Sequence, residues 1–163
     1  MSRGLPIKVN ELLTKSKESS LLAVDIYNKP KTAFRSGAYI VLMTIAWTSL
    51  FHAIFEKKGI KYFHKGSNKR YIKIEGEYKA WELNDCLKEY FKENKKEDLP
   101  IRSNIEFFIP LRNKIEHRFM PELDSETFGE CQALLHNFEY ILNKEFGDKH
   151  SIREDLVFSL QFA

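Results

Sequence analysis

The sequence predicts an all-α fold, a helical bundle of about five to six helices with one small β-hairpin inserted. Three observations predict it. Apolar residues recur at helical spacing over several long stretches, each closed by proline, glycine or a polar loop. One run, Ala38 to Phe55, is apolar almost all round and carries no acidic residue, lysine or arginine. One short segment alone has aromatic and β-branched residues flanking turn chemistry. With 163 residues, 43% hydrophobic and 30% charged, the chain suits a single domain spanning residues 1–163.

The first helix is read over about Val9 to Asn28, with Leu12, Leu13, Leu21, Leu22, Val24 and Ile26 as its apolar positions. Asn28-Lys29-Pro30 ends it, because the residue before proline avoids the helical region. The second runs from about Thr32 to Lys58 and stops at Gly59. It contains AYIVLMTIAWTSLFHAIF, whose length sits at the lower edge for a membrane span. Thr44, Thr48 and His52 recur along it at i, i+4 and i+8 as one polar stripe, so it is read as the buried central helix of a bundle, not a span. Three surroundings stay open for the stripe: water, a subunit or a site.

Between the second and third helices, KYFHKGSNKRYIKIEGEYK (61–79) pairs YFH with RYIKI about Gly66-Ser67-Asn68, a hairpin pattern. The third helix covers about Ala80 to Lys92, with Trp81, Leu83, Leu87, Tyr90 and Phe91 at helical spacing. The fourth begins near Pro100 and carries Pro110, which should kink it by removing the bond to the Glu106 carbonyl. The fifth follows Pro121, with Asp124 as N-cap and Phe128, Leu134, Leu135, Phe138 and Ile141 as its apolar face up to Gly147. A sixth starts near Ser151, with Glu154 completing a capping box. An apolar helical pattern runs into the closing VFSLQFA, which suggests a piece of a longer chain.

The net charge of +3 is compatible with an anionic partner without specifying one. Two cysteines, Cys86 and Cys131, form no C-x-x-C and suggest neither a disulfide framework nor zinc, so a reducing cytoplasm is expected. His64, His136 and His150 show no ligand spacing, and no metal site is read. No phosphate-binding glycine loop, dinucleotide fingerprint or nucleophile elbow is present, and no cofactor is implied. Trp47 and Trp81 read as core, and His52 as a satisfied buried histidine, with a place beside the fourth helix as its other reading.

The stretch with chemistry in it is PLRNKIEHRF, 110–119. Arg112 and His117 lie five apart, about 140° and about 7.5 Å along a helix, so they do not point the same way. Arg112 with Glu116, and Asn113 with His117, are i, i+4 pairs. An ordinary wet helix face would therefore show an Arg112–Glu116 ion pair of a few tenths of a kcal/mol. Seven arginines and five histidines give roughly 0.6 chance matches to an arginine, a four-to-six-residue gap and a histidine, and asparagine directly after the arginine lowers that to roughly 0.04.

Several stretches are similar to a bacterial family of uncharacterised domains, the domain of unknown function numbered 3644. They are KSKESSLLAVDIYNKP (15–30), YIVLMTIAWTSLFHAIF (39–55), GEYKAWELNDCLKEYF (76–91), NIEFFIPLRNKIEHR (104–118), MPELDSETFGECQALLHNFE (120–139) and FSLQF (158–162). The LRNKIEHR core also resembles the Arg-Asn-x-x-x-His helix of the HEPN superfamily. That resemblance implies a compact α-helical domain, often homodimeric. Many such domains are metal-independent endoribonucleases of toxin–antitoxin and phage-defence systems, and others only bind RNA, nucleotides or proteins. It implies Arg112 and His117 as catalytic pair, with Asn113 and Glu116 in support. An antitoxin or a further domain of a longer chain would be a partner.

The residue types suit RNA cleavage. The 2′-hydroxyl attacks the neighbouring phosphate, which requires a proton acceptor, a proton donor and a holder for the charged phosphorane. Histidine exchanges protons near neutral pH, and arginine presents a charged fork to phosphate oxygens. A two-fold dimer would bring two of each to one groove. The products would be a 2′,3′-cyclic phosphate and a 5′-hydroxyl. A second RNA-contacting surface is read at Lys61, Lys65, Lys69, Arg70 and Lys73, interleaved with Tyr62, Phe63, Tyr71 and Tyr78. The plainer alternative there is a solvated hairpin with its aromatics packed inward.

Overall fold

The computed structural model describes residues 4–29, 31–120 and 122–160. The chain order is α1 (Ile7–Tyr27), α2 (Arg35–Lys58), β1 (Lys73–Ile74), β2 (Glu77–Tyr78), α3 (Leu83–Tyr90), α4 (Leu99–Ile115), α5 (Leu123–Phe146) and α6 (Arg153–Leu160). This is the expected architecture: six helices and one small antiparallel ladder among the described residues. Pro30, read as ending the first helix, Pro121, read as preceding the fifth, and the last residues 161–163 lie outside the described residues.

α1, α3, α4 and α5 all pack against α2. Ile40, Met43, Ala46, Trp47, Leu50, Phe51 and Ala53 along it are fully buried. Among the described helices it alone is long and apolar enough to cross a membrane, and its apolar surface is taken up as core, as its polar stripe predicted. Trp47, Phe51 and Phe55 form an aromatic row at i, i+4, i+8, with centroid separations of 5.5 and 6.2 Å, and Phe138 of α5 meets Trp47 edge-on at 5.5 Å. The helix ends where Gly59 adopts φ +72°. There the Ile60 N–H donates to the Phe55 carbonyl and the Gly59 N–H to that of Glu56, a Schellman cap.

α1 lies antiparallel along α2, with Ser16 near Ala46 and Tyr27 near Tyr39. Its buried seam is Val9, Leu13, Ser16, Ser20, Ala23 and Val24, and Leu22, expected on the apolar face, is half exposed. The small seam residues let the two backbones approach closely, and the Ser16 hydroxyl is satisfied by the Ala46 carbonyl at 2.6 Å.

α4 stays helical through Pro110 to Ile115. Asn104 fixes it to α5: its amide donates to the Glu130 carboxylate at 2.8 Å, and its oxygen accepts from Asn137 at 3.0 Å. α5 begins one residue earlier than its expected cap. Asp124 does not cap; its carboxylate takes the Arg35 guanidinium at 2.8 Å and the Ser36 hydroxyl, tying the start of α5 to that of α2. Phe128, expected on the apolar face of α5, is half exposed against the ring of Tyr27. α6 starts two residues after Ser151, whose hydroxyl accepts the Arg153 N–H at 3.1 Å.

The insertion is more closed than a hairpin. The turn at Gly66-Ser67-Asn68 is present, with Lys65 bridged to Tyr71. The regular ladder comes from the next turn, Glu75-Gly76, where two positive φ values of 52° and 85° reverse the chain and pair Lys73 with Tyr78. The three segments then close on one another. The His64 N–H donates to the Lys79 carbonyl, the Lys79 N–H to that of Ile72, and the Ile72 N–H to that of His64. Ala80 and Trp81, expected to open α3, belong to this lobe instead, because Ala80 bridges Phe63 and the Trp81 N–H donates to the Tyr62 carbonyl at 2.8 Å.

Burial raises the Asp124 pKa, but the Ser36 and Arg35 hydrogen bonds and the guanidinium charge outweigh it, and the carboxyl sits below its ordinary 3.8. Its contribution is therefore complete above about pH 4 and is lost as pH falls through the lower folded value. Asp124→Asn is expected to lose about 1 kcal/mol at neutral pH, the site being one-third exposed. Urea denaturation at neutral pH and near pH 3 should show the gap to wild type narrowing in acid.

Candidate functional site

The polar stripe of α2 is left partly uncovered, with the exposed Ile45 beside it. Thr44, Thr48 and His52 line a cleft of about 510 Å³ whose other walls are Leu12 and Lys15 of α1, Ile109, Arg112 and Asn113 of α4, and the chain from Ala80 to Asn84. Ile109, Arg112 and Asn113 reach it together because positions i, i+3 and i+4 share a helix face. The structure thus brings the stripe and the arginine motif to one place. Of the readings left open for the stripe, it lines a cleft beside the motif helix.

His52 is fixed from two sides. Its ring stacks on Tyr62 at 4.6 Å, and Nε2 lies 2.8 Å from the Trp81 carbonyl. A carbonyl only accepts, so Nε2 carries the proton and Nδ1 is the ring's acceptor. Burial lowers the His52 pKa and outweighs the opposing effect of the Trp81 bond, and the positive charge of Lys15 lowers it further. The ring is neutral near pH 7. The Thr44 and Thr48 hydroxyls donate back along their own helix, to the Ile40 carbonyl at 2.9 Å and the Thr44 carbonyl at 2.8 Å.

Arg112 is 40% exposed and pairs with Glu116 at 2.8 Å, while its other terminal nitrogen is 3.4 Å from the Asn113 oxygen. Its Nε is shielded and has no acceptor among the described residues. His117 does not share this wall. α4 ends at Ile115, the His117 N–H turns back to the Lys114 carbonyl at 3.1 Å, and the side chain is exposed. Asn113 and His117 therefore lose the i, i+4 relation that a longer helix would have given them.

Lys61, Lys65, Lys69, Arg70 and Lys73 are all exposed on the β-lobe, outside the cleft. The lobe aromatics pack on one another: Phe63, Tyr71 and Tyr78 lie 5.3 to 5.9 Å apart. Lysines lie over these rings, Lys8 over Phe63, Lys65 over Tyr71 and Lys73 over Tyr78. Tyr62, by contrast, is buried at the lobe's base, where its hydroxyl donates to Glu56 at 2.9 Å. Lys15, Glu82 and Asn84 are cleft residues that carried no signal in the sequence; the spacing of the polar stripe was the one local clue to the cleft.

Burial pushes the Cys86 thiol up to about 12 and that of Cys131 to about 11, so neither is a thiolate at neutral pH. Among the described residues no group of three His, Cys, Asp or Glu could hold a metal ion.

Fold and site together define a helical bundle with an inserted β-lobe and a cleft that combines cations, amides and a neutral histidine. The chain belongs to the family described as a domain of unknown function (DUF3644), which matches residues 11–163. No curated protein and no solved structure matches it.

Two measurements test this geometry. In an NMR titration His52 should change protonation below 6.5, and Lys15→Ala should raise its midpoint. A lowered folded value means the unfolded chain takes the proton first. Stability should therefore fall as pH drops from about 6.5 toward that midpoint, and His52→Phe should lose less over the same range.

Proposed function

We propose that this is a HEPN-type, metal-independent endoribonuclease domain of a toxin or phage-defence protein, acting as a homodimer. The observation that supports it best is the position of Arg112 and Asn113 in the cleft wall, with His117 exposed just beyond the end of the same helix. A phosphate held by Arg112 in one subunit would meet a histidine from the other across a two-fold axis. Histidine then accepts the 2′-hydroxyl proton, the oxygen bonds to phosphorus, and the P–O5′ bond breaks as the leaving oxygen gains a proton. A cyclic phosphate and a 5′-hydroxyl result. The lobe lysines would hold flanking phosphates.

The Arg112–Glu116 pair favours a second reading, a non-catalytic module that binds RNA, a nucleotide or a protein. The pair is nevertheless no obstacle to the first reading. An ion pair this exposed contributes only about 0–1 kcal/mol, so a phosphate, which accepts two charged hydrogen bonds, can displace the carboxylate.

The test is RNA cleavage in EDTA with end-group analysis, alongside sedimentation of the protein. Wild type should sediment as a dimer and leave cyclic phosphate ends. Arg112→Ala and His117→Ala should each lower the rate at least about 100-fold. A monomer at micromolar concentration, or equal residual activity in all three proteins, excludes the composite site. RNA binding without cleavage establishes the second reading.

A further inference from the structure

The cleft has walls that the arginine motif does not account for, and three of the four polar side chains that α2 contributes have the same hydrogen-bonding character. Each has already given its proton to a backbone carbonyl: Thr44 to Ile40, Thr48 to Thr44, and His52 Nε2 to Trp81. What these three offer the cleft is acceptors, namely two hydroxyl oxygens and the imidazole Nδ1. Such a wall is satisfied by a ligand that donates, as an alcohol does. Lys15 and Arg112 add two cations from two further helices, and Glu82 is the single acidic residue in the lining. That part of the cleft is satisfied by an anion. Leu12, Ile45 and Ile109 supply apolar surface. The volume, about 510 Å³, is that of a small-molecule site.

An anion, a hydroxyl donor and an apolar ring in one molecule describe a nucleotide that keeps its 2′-hydroxyl. We propose that this cleft binds one ribonucleotide, its 5′-phosphate on Lys15 and Arg112 and its 2′-hydroxyl making a three-centre hydrogen bond to Thr48 Oγ1 and His52 Nδ1. His52 and Thr48 would then be the residues that tell RNA from DNA. The proposal rests on the reading of the protein as an RNA-directed domain and names the part of the site that recognises the sugar. Discrimination follows from the acceptor wall, because a deoxynucleotide leaves those lone pairs facing a carbon-bound hydrogen. The ligand could arrive as a free nucleotide or as one unit of a strand, since both present the same groups.

The experiment is a binding titration of the full chain with uridine 5′-monophosphate and with its 2′-deoxy counterpart, neither of which can be cleaved, followed by amide and imidazole NMR shifts. The ribonucleotide should bind at least about fivefold more tightly. Its shifts should centre on His52 and the α2 amides. Thr48→Val and His52→Phe should bring the two ligands to parity, and Lys15→Ala should weaken both by a similar factor. If His52→Phe disturbs the stack on Tyr62, the nearly isosteric Thr48→Val still decides. Parity in the wild type, no binding of either ligand, or shifts confined to the β-lobe would overturn the proposal. A ribo-oligonucleotide that displaces the mononucleotide identifies the strand as the source, and one that does not identifies the free nucleotide. Wild type that shows the ribose preference without cleaving RNA removes only the nuclease reading. Wild type that cleaves RNA with parity between the two mononucleotides removes only this one.

Discussion

The structure depends on the burial of α2. A helix of 24 residues that is apolar on nearly every side must be covered on nearly every side, and α1, α3, α4 and α5 all pack against it. The side left partly open carries the polar row, with Ile45 beside it. Its neighbour, the Trp47–Phe51–Phe55 row, lies only about 60–100° around the helix and is fully covered. Cover on one row and opening on the other, so close together, create the cleft. The surrounding helices do not need to carve a site; they need only stop short of Thr44, Thr48 and His52.

The β-lobe sets one edge of that opening. It is anchored through Tyr62, which is buried, hydrogen-bonds Glu56 and stacks on His52, and through His64, which lies 3.5 Å from Asp85 of α3. Its lysines lie outside the cleft, and two of them, Lys65 and Lys73, cover rings that a base would otherwise stack on. The lobe therefore combines two jobs: an exposed basic surface at its tip and a rigid backbone at its root.

Much of the fold was legible in the sequence because it rested on periodicity and punctuation. α2, its end at Gly59, the turn at 66–68 and the helix carrying PLRNKIEHRF all follow from local rules. The misses share a cause, which is that tertiary contact reassigned a locally plausible residue. Ser16 and Ser20 look like surface residues, yet a close helix pair buries them. Asp124 has the chemistry of a cap, yet Arg35 and Ser36 claim its carboxylate. Trp81 has the spacing of a helical residue, yet the lobe claims its N–H. In the cleft, Arg112 and Asn113 stood out as a motif and His52 as part of a stripe, but nothing local could join them. Lys15 lies 97 residues before Arg112, and only the fold makes them neighbours.

The peptide group of Trp81 is shared property. Its N–H belongs to the lobe, through Tyr62, and its carbonyl belongs to His52. Any occupant that engages His52 bears on that carbonyl, and any loosening of the lobe releases the imidazole. Cleft and lobe therefore meet at one peptide group, and whatever free energy an occupant of the cleft passes through it, the lobe returns in equal measure. The exchange of the lobe's amides with solvent is the place to read it.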